Sequence, residues 1–256
     1  MNTGERATGG TLGSPAVDPD AAPDWLAPLV AAAAQLDPAD FGAQRLPPPP
    51  PEDGAIDAEK DAAVLVLFGH GARGPDVLLI ERASGLRHHA GQVAFPGGST
   101  DPGDADHVAT ALREAAEETG VDPSGARPIA VLPQLFVPPT GFRVTPVLAH
   151  WFEPVAVAPG DPGETAAVIR VPLSELADPA NRFQVHHPSG YLGPAFEVAS
   201  LVVWGFTGGL LSALLNLGGW ERPWDAEIVR DLDAAWSMAR GRSGAGRQES
   251  SGDRRA

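Results

Sequence analysis

The sequence predicts an α+β fold, on three observations. Its apolar runs between residues 62 and 206 are short and bounded by Gly and Pro, as strands are. Helical spacing of apolar residues is confined to a few stretches, 25–36, 108–119, 208–217 and 226–239. Strands and helices do not alternate regularly, which argues against a doubly wound parallel sheet.

The elements follow in order. Residues 1–57 read as a disordered, Pro-rich segment with one short helix, where Trp25, Leu26, Leu29, Val30, Ala33 and Leu36 make an apolar stripe. The segment lacks the basic start and apolar centre of a secretion signal. The prolines at 47–51 form a stiff spacer. The domain proper is expected over 58–240. Strands are predicted at 62–68 and 77–80, paired around a Gly-rich turn, and at 92–95 after a loop. Beyond the 108–119 helix come strands at 129–136, 142–152 and 166–171, a helical turn at 173–176, and a hairpin or loop over 183–196. A strand at 198–206 and helices at 208–217 and 226–239 complete the domain, and 241–256 reads as a disordered polar tail.

Residues 198–219 carry no charge and are long enough to raise a membrane span. Ser200, Thr207, Ser212, Asn216 and five glycines interrupt the run, and basic flanks are absent, so a core strand and a buried helix are expected. The chain has no cysteine, which excludes disulfides, a thiolate nucleophile and Cys-ligated zinc, and fits a reducing cytoplasm. The net charge of −15 argues against nucleic-acid binding through a basic surface. A phosphorylated small molecule therefore requires clustered cations at the site. Lys60 is the only lysine and lacks the glycine frame of a phosphate-binding loop, and neither H-E-x-x-H nor G-x-S-x-G occurs.

The most informative stretch is 97–121. Val108, Ala111, Leu112, Ala115 and Thr119 share one helix face, Asp104 or Asp106 is placed to cap its start, and Gly120 to end it. Glu114, Glu117 and Glu118 share another face, where the i,i+4 pair of like charges costs roughly 0.2–0.5 kcal/mol. Such a face is either a solvated acidic surface or a set of oxygen ligands for a hard divalent cation. The loop Phe95-Pro96-Gly97-Gly98 immediately upstream favours the second, since its glycines let backbone approach a ligand.

A glycine loop running into an acidic helix resembles the Nudix hydrolase signature, G-x5-E-x7-R-E-U-x-E-E-x-G-U with U apolar. Residues 113–121 match its second half at every fixed position. The interval from Gly98 to Arg113 is one residue longer than the pattern, and Ala105 stands where the first Glu belongs, flanked by Asp104 and Asp106. Upstream, Leu78, Leu79, Arg82, Ala83, Arg87, Gly91 and 95–98 resemble the signature of the coenzyme A pyrophosphatase branch, L-L-T-x-R-[SA]-x3-R-x3-G-x3-F-P-G-G, with Ile80 in place of Thr.

The resemblance implies a Nudix fold, a mixed β-sheet sandwiched between α-helices. It implies Mg²⁺ or Mn²⁺ on Glu114, Glu117 and Glu118, with Glu117, Glu118 and Arg113 as the catalytic candidates. Arg82, Arg87, Gly97 and Gly98 are the candidates for binding substrate, with His88 and His89 weaker ones. The implied substrate is CoA or an acyl-CoA, cleaved to adenosine 3′,5′-bisphosphate and the 4′-phosphopantetheine fragment. Phe142, Trp151, Tyr191 and Phe206 suit either an apolar groove for the pantetheine arm or the core. Two other readings stand beside this one: the same chemistry on ADP-ribose, NADH or another nucleotide, and a silent module that binds a nucleotide or a protein. The intact carboxylate set speaks against the silent module.

Overall fold

The main sheet is built around β1 (Asp61–Gly71), a run of Ala, Val, Leu and Phe that pairs on both edges. The computed structural model describes residues 15–36, 61–86, 89–137 and 141–249, with side chains as far as 240. One edge of β1 pairs in parallel with β7 (Phe142–Trp151) along residues 61–68. Its other edge is shared: the last residues turn back into β2 (Gly74–Arg82), and the first pair with β4 (Gly97–Ser99). β3 (Val93–Ala94) and β8 (Thr165–Pro172) add to β2, while β5 (Ala126–Val131) and β6 (Leu135–Val137) add to β7. The sheet is therefore mixed, as expected.

Side-chain alternation along β1 feeds two cores. Ala63, Leu65 and Leu67 meet Val108, Ala111, Leu112 and Ala115 of α2 (His107–Thr119) on one face. Val66 and Phe68 meet the other face, covered by α1 (Ala27–Ala33) and α4 (Gly205–Leu217) with α3 (Leu173–Leu176) beside them. That is a mixed sheet between helices. A second sheet, in the order β11 (Leu201–Val203), β10 (Leu192–Val198), β9 (Arg182–His186), β12 (Val229–Asp231), packs against α5 (Leu232–Glu249) through Leu232, Ala235 and Ala239.

Several elements differ from expectation. The helix expected at 25–36 is shorter and belongs to the main core: Leu26 and Leu29 are fully buried, and Trp25 stands edge-on to Phe68 with centroids 6.4 Å apart. The strand expected at 129–136 divides into β5 and β6, because Pro133 offers no N–H to a ladder. The strand expected at 198–206 is a hairpin arm: Ala199 and Ser200 have φ of 50° and 62°, as the centre of a two-residue turn between β10 and β11 requires. Residues 229–231, expected as helix, pair in parallel with β9, and α5 then runs on to Glu249, into the segment read as a tail. The spacer at 47–51 lies outside the described residues. Among the described residues, no helix is long and apolar enough to cross a membrane.

One buried charge escaped the sequence. Arg182 is 1% exposed, donates to Glu221 and to Ser212 Oγ at 2.8 Å each, and lies 4.5 Å from the Trp224 ring centroid. It ties β9, α4 and the 221–224 loop together.

Candidate active site

α2 forms as its sequence dictates. The Asp106 carboxylate accepts the Ala109 N–H at 2.9 Å, and Gly120, at φ 71°, donates its N–H to the Ala116 carbonyl. All five residues of the predicted stripe are buried. Packing of that stripe on the sheet sets the acidic face beside β4.

Gly97 and Gly98 are both in close contact with their neighbours, Gly97 with backbone and Gly98 with a side chain. β4 is drawn so close to β1 that a Cβ at Gly97 would run into the carbonyl oxygen of Ala63. A Cβ at Gly98 would stand 2.5 Å from the Glu114 carboxylate. The loop backbone thus reaches the helix itself, and the Gly97 N–H donates to Glu118 Oε2 at 2.9 Å.

Arg113 joins the rest. Its Nη1 donates to Glu114 Oε1 at 3.0 Å and to Glu117 Oε2 at 3.3 Å, and its Nη2 to the Ser99 carbonyl at 3.0 Å. The remaining edge of the guanidinium faces Asp104, one of the two aspartates that flank Ala105. The Arg113 fork holds the Asp104 carboxyl at about 2, well below the usual carboxylate range, with Thr110 Oγ1 donating to the same group at 2.9 Å. Asp106 serves the helix end instead.

Arg82 approaches from the end of β2, where the pairing with β8 shifts register between Glu81 and Arg82. Its Nη1 is 4.0 Å from Glu118 Oε1, and its Nε is buried with no hydrogen-bond partner among the described residues. Arg87 and His88 lie outside the described residues. The His89 imidazole pairs with Gln92 Oε1 at 2.8 Å, inside its own turn. Trp151 is 2% exposed and belongs to the core under α2, Phe206 packs on the main core, and Tyr191 packs with Trp204 on the second sheet.

The carboxylates differ sharply in environment. Glu118 and Glu114 are 11% and 18% exposed, Glu117 61%. Burial pushes the Glu118 carboxyl up to about 7; the Gly97 N–H and Arg82 oppose this, and Glu114 and Glu164 add to it. Burial also raises Glu114, against the pull of Arg113. Two half-hidden carboxyls and Glu164 thus repel one another, with Arg82 and Arg113 as the cations near them.

This donor set fits a hard divalent cation. It offers carboxylate oxygens alone, and a positive ion among them would relieve the burial and repulsion that raise Glu118. Glu114 and Glu117 are both turned toward Arg113, while Glu118 faces Gly97. Among the described residues no three acidic or imidazole side chains already stand together at metal-binding distance. Gripping one ion therefore calls for side-chain rotation of Glu114 or Glu117 away from Arg113, which the exposure of Glu117 permits. The sequence marked the three glutamates, Arg113 and the two glycines. It left Asp104 and Asp106 undivided and gave no sign of Glu164, in the loop before β8, whose charge adds to the upward shift of Glu118.

A NUDIX domain model matches residues 59–190. An uncharacterized Nudix hydrolase NudL of Citrobacter koseri is 40% identical over 167 residues, covering 62% of this chain and 83% of that protein. The uncharacterized NudL of Escherichia coli (strain K12) is 37% identical over 173 residues, with the same two shares, 62% and 83%. Among solved structures, the M. smegmatis Nudix hydrolase RenU superposes with a TM-score of 0.47 at 20% identity, over 65% of this chain and 90% of that one. A family model spanning more than half of the residues, together with relatives of this identity and coverage, shows that the chain belongs to the Nudix hydrolase family.

Proposed function

We propose that the chain hydrolyses the phosphoanhydride of CoA or an acyl-CoA, giving adenosine 3′,5′-bisphosphate and the (acyl-)4′-phosphopantetheine fragment, in a reducing cytoplasm. The coarser statement, a hydrolase of a diphosphate bond, comes with the family. One observation supports the finer one. The residues that resemble the coenzyme A pyrophosphatase signature and those of the Nudix helix meet at a single carboxylate, Glu118, which lies between the Gly97 N–H and Arg82.

In this reading Glu114, Glu117 and Glu118 hold Mg²⁺ or Mn²⁺. Such an ion, when bound, supplies neutralisation of phosphate oxygens and a water of lowered pKa. The chain does the rest. Arg113 keeps Glu114 and Glu117 on one side of α2 and ties both to the Ser99 carbonyl, so it orients ligands. Gly97 and Gly98 admit the diphosphate to within reach of backbone. Arg82, about a third exposed beside Glu118, offers guanidinium donors to a phosphate, and Arg87 is the second candidate cation of the motif. These cations offset locally the −15 of the whole chain.

Product analysis tests the proposal. Purified protein with excess Mg²⁺ or Mn²⁺ is given CoA, an acyl-CoA, ADP-ribose and NADH in parallel. Adenosine 3′,5′-bisphosphate from CoA, lost in Glu118→Gln, is the expected result. AMP from another substrate with CoA untouched would remove CoA and keep the hydrolase.

A further inference from the structure

We infer that the connection between β7 and β8, residues 152–164, braces the carboxylate helix, and that Gly160 is a positioning residue for the metal-binding turn. The inference rests on the reading of Glu114, Glu117 and Glu118 as metal ligands.

The last carbonyls of a helix have no partner inside it. At the end of α2, Gly120 takes up the Ala116 carbonyl. The carbonyls of Glu118 and Thr119 go instead to the distant connection: the Gly160 N–H donates to Glu118 and the Ala158 N–H to Thr119, each at 3.0 Å. Contact is so close that a Cβ at Gly160 would coincide with the carbonyl oxygen of Glu117. Val157 packs against the core beneath α2 and anchors this part of the connection.

The other end of the connection is fastened as firmly. Asp161 closes a turn, its carbonyl accepting the Thr165 N–H at 2.8 Å and its carboxylate the Gly163 N–H at 2.7 Å. The Glu164 carbonyl then accepts the Ala83 N–H at 2.8 Å, one residue beyond Arg82. One short segment therefore grips both the turn that carries Glu117 and Glu118 and the strand end that carries Arg82. It fixes how far apart the carboxylates and that guanidinium stand. Metal ligands tolerate errors of about 0.2 Å in distance. A methyl group at Gly160 moves the turn by more than about 1 Å before van der Waals contact is restored.

The test is Mn²⁺ binding, read by loss of the free-ion electron paramagnetic resonance signal, in the parent, Gly160→Ala, Glu118→Gln and Gly209→Ala. Gly209 faces open space on α4 and controls for the substitution itself. The expected result is at least a tenfold weaker Mn²⁺ affinity in Gly160→Ala, unchanged affinity in Gly209→Ala, and a kcat loss on CoA of tenfold or more with KM within threefold. Parent-like Mn²⁺ affinity in Gly160→Ala, beside loss in Glu118→Gln, would overturn the brace and leave the metal site standing. Binding that survives Glu118→Gln would overturn the metal-site reading itself. Should Gly160→Ala not fold, Ala158→Pro removes the N–H given to Thr119 without adding atoms against Glu117. A threefold or greater loss of Mn²⁺ affinity there supports the brace, and no loss overturns it.

Discussion

Arg113 grips Asp104 along one whole edge of its guanidinium, Nε to Oδ1 and Nη2 to Oδ2, both at 3.0 Å. The opposite corner of the same guanidinium holds Glu114 and Glu117. A carboxylate in the loop before α2 thus sets the arginine that sets the acidic face. Asp104, rather than Asp106, occupies that point. Asp104→Asn is expected to cost about 1.5–3 kcal/mol, the range for hydrogen bonds to charged groups, and to lower turnover. Asp106→Ala removes a helix cap, so it should cost about 1 kcal/mol and leave turnover unchanged. Urea denaturation and kcat on both variants check the contrast; equal losses of turnover would contradict it.

Gly98→Ala should separate stability from activity. The added methyl meets the Glu114 carboxylate, a side chain that can swing aside, so the fold survives while turnover falls at least tenfold. Gly97→Ala meets the backbone of Ala63 and should lower the melting temperature as well. Thermal melts paired with initial rates distinguish the two.

The contribution of Glu118 to the stability of the metal-free protein should fall as pH rises from about 4.5 toward 7. Burial raises the Glu118 carboxyl from 4.5 to about 7, so across that window the folded chain holds a proton that the unfolded chain has released. Each unit of that difference is worth about 1.4 kcal/mol against the folded state at the upper end of the window. Denaturant titrations in EDTA at several pH values measure the slope. Glu118→Gln, with nothing to titrate at that position, should flatten it.

α2 was legible because its signals are local. The stripe from Val108 to Thr119, an aspartate cap at 104 or 106 and the Gly120 stop all act within a few turns of chain. The glycine loop was legible for a similar reason, since Gly97 and Gly98 mark close backbone approach wherever they occur in such a loop. What stayed hidden depends on distant partners. Val229 to Asp231 become a strand because β9 offers an open edge, although their own neighbourhood reads as helix. Trp25 to Leu29 read as a detached helix until Phe68 and Trp220 surround Trp25. The roles of Asp104 and Asp106 differ through one guanidinium, and residue type alone could not separate them.

Leu29→Ala is expected to destabilise the whole domain by about 2–5 kcal/mol, as a cavity in a shared core does. A single unfolding transition, shifted as one, would show that α1 and the sheet unfold together. An unshifted main transition would show that they do not.

The helix that contains Leu29 also imposes an order on the chain's emergence. Trp25, Leu26 and Leu29 are made early, yet their cover includes Leu214 and Trp220, which follow every motif residue of the site. A nascent chain long enough to present Glu118 and both glycines has not yet made these covering residues. The span matched to the family, 59–190, therefore leaves out both α1 and α4, which cover one face of the main sheet. A fragment cut to those limits would keep its chemistry-bearing residues and lose a wall.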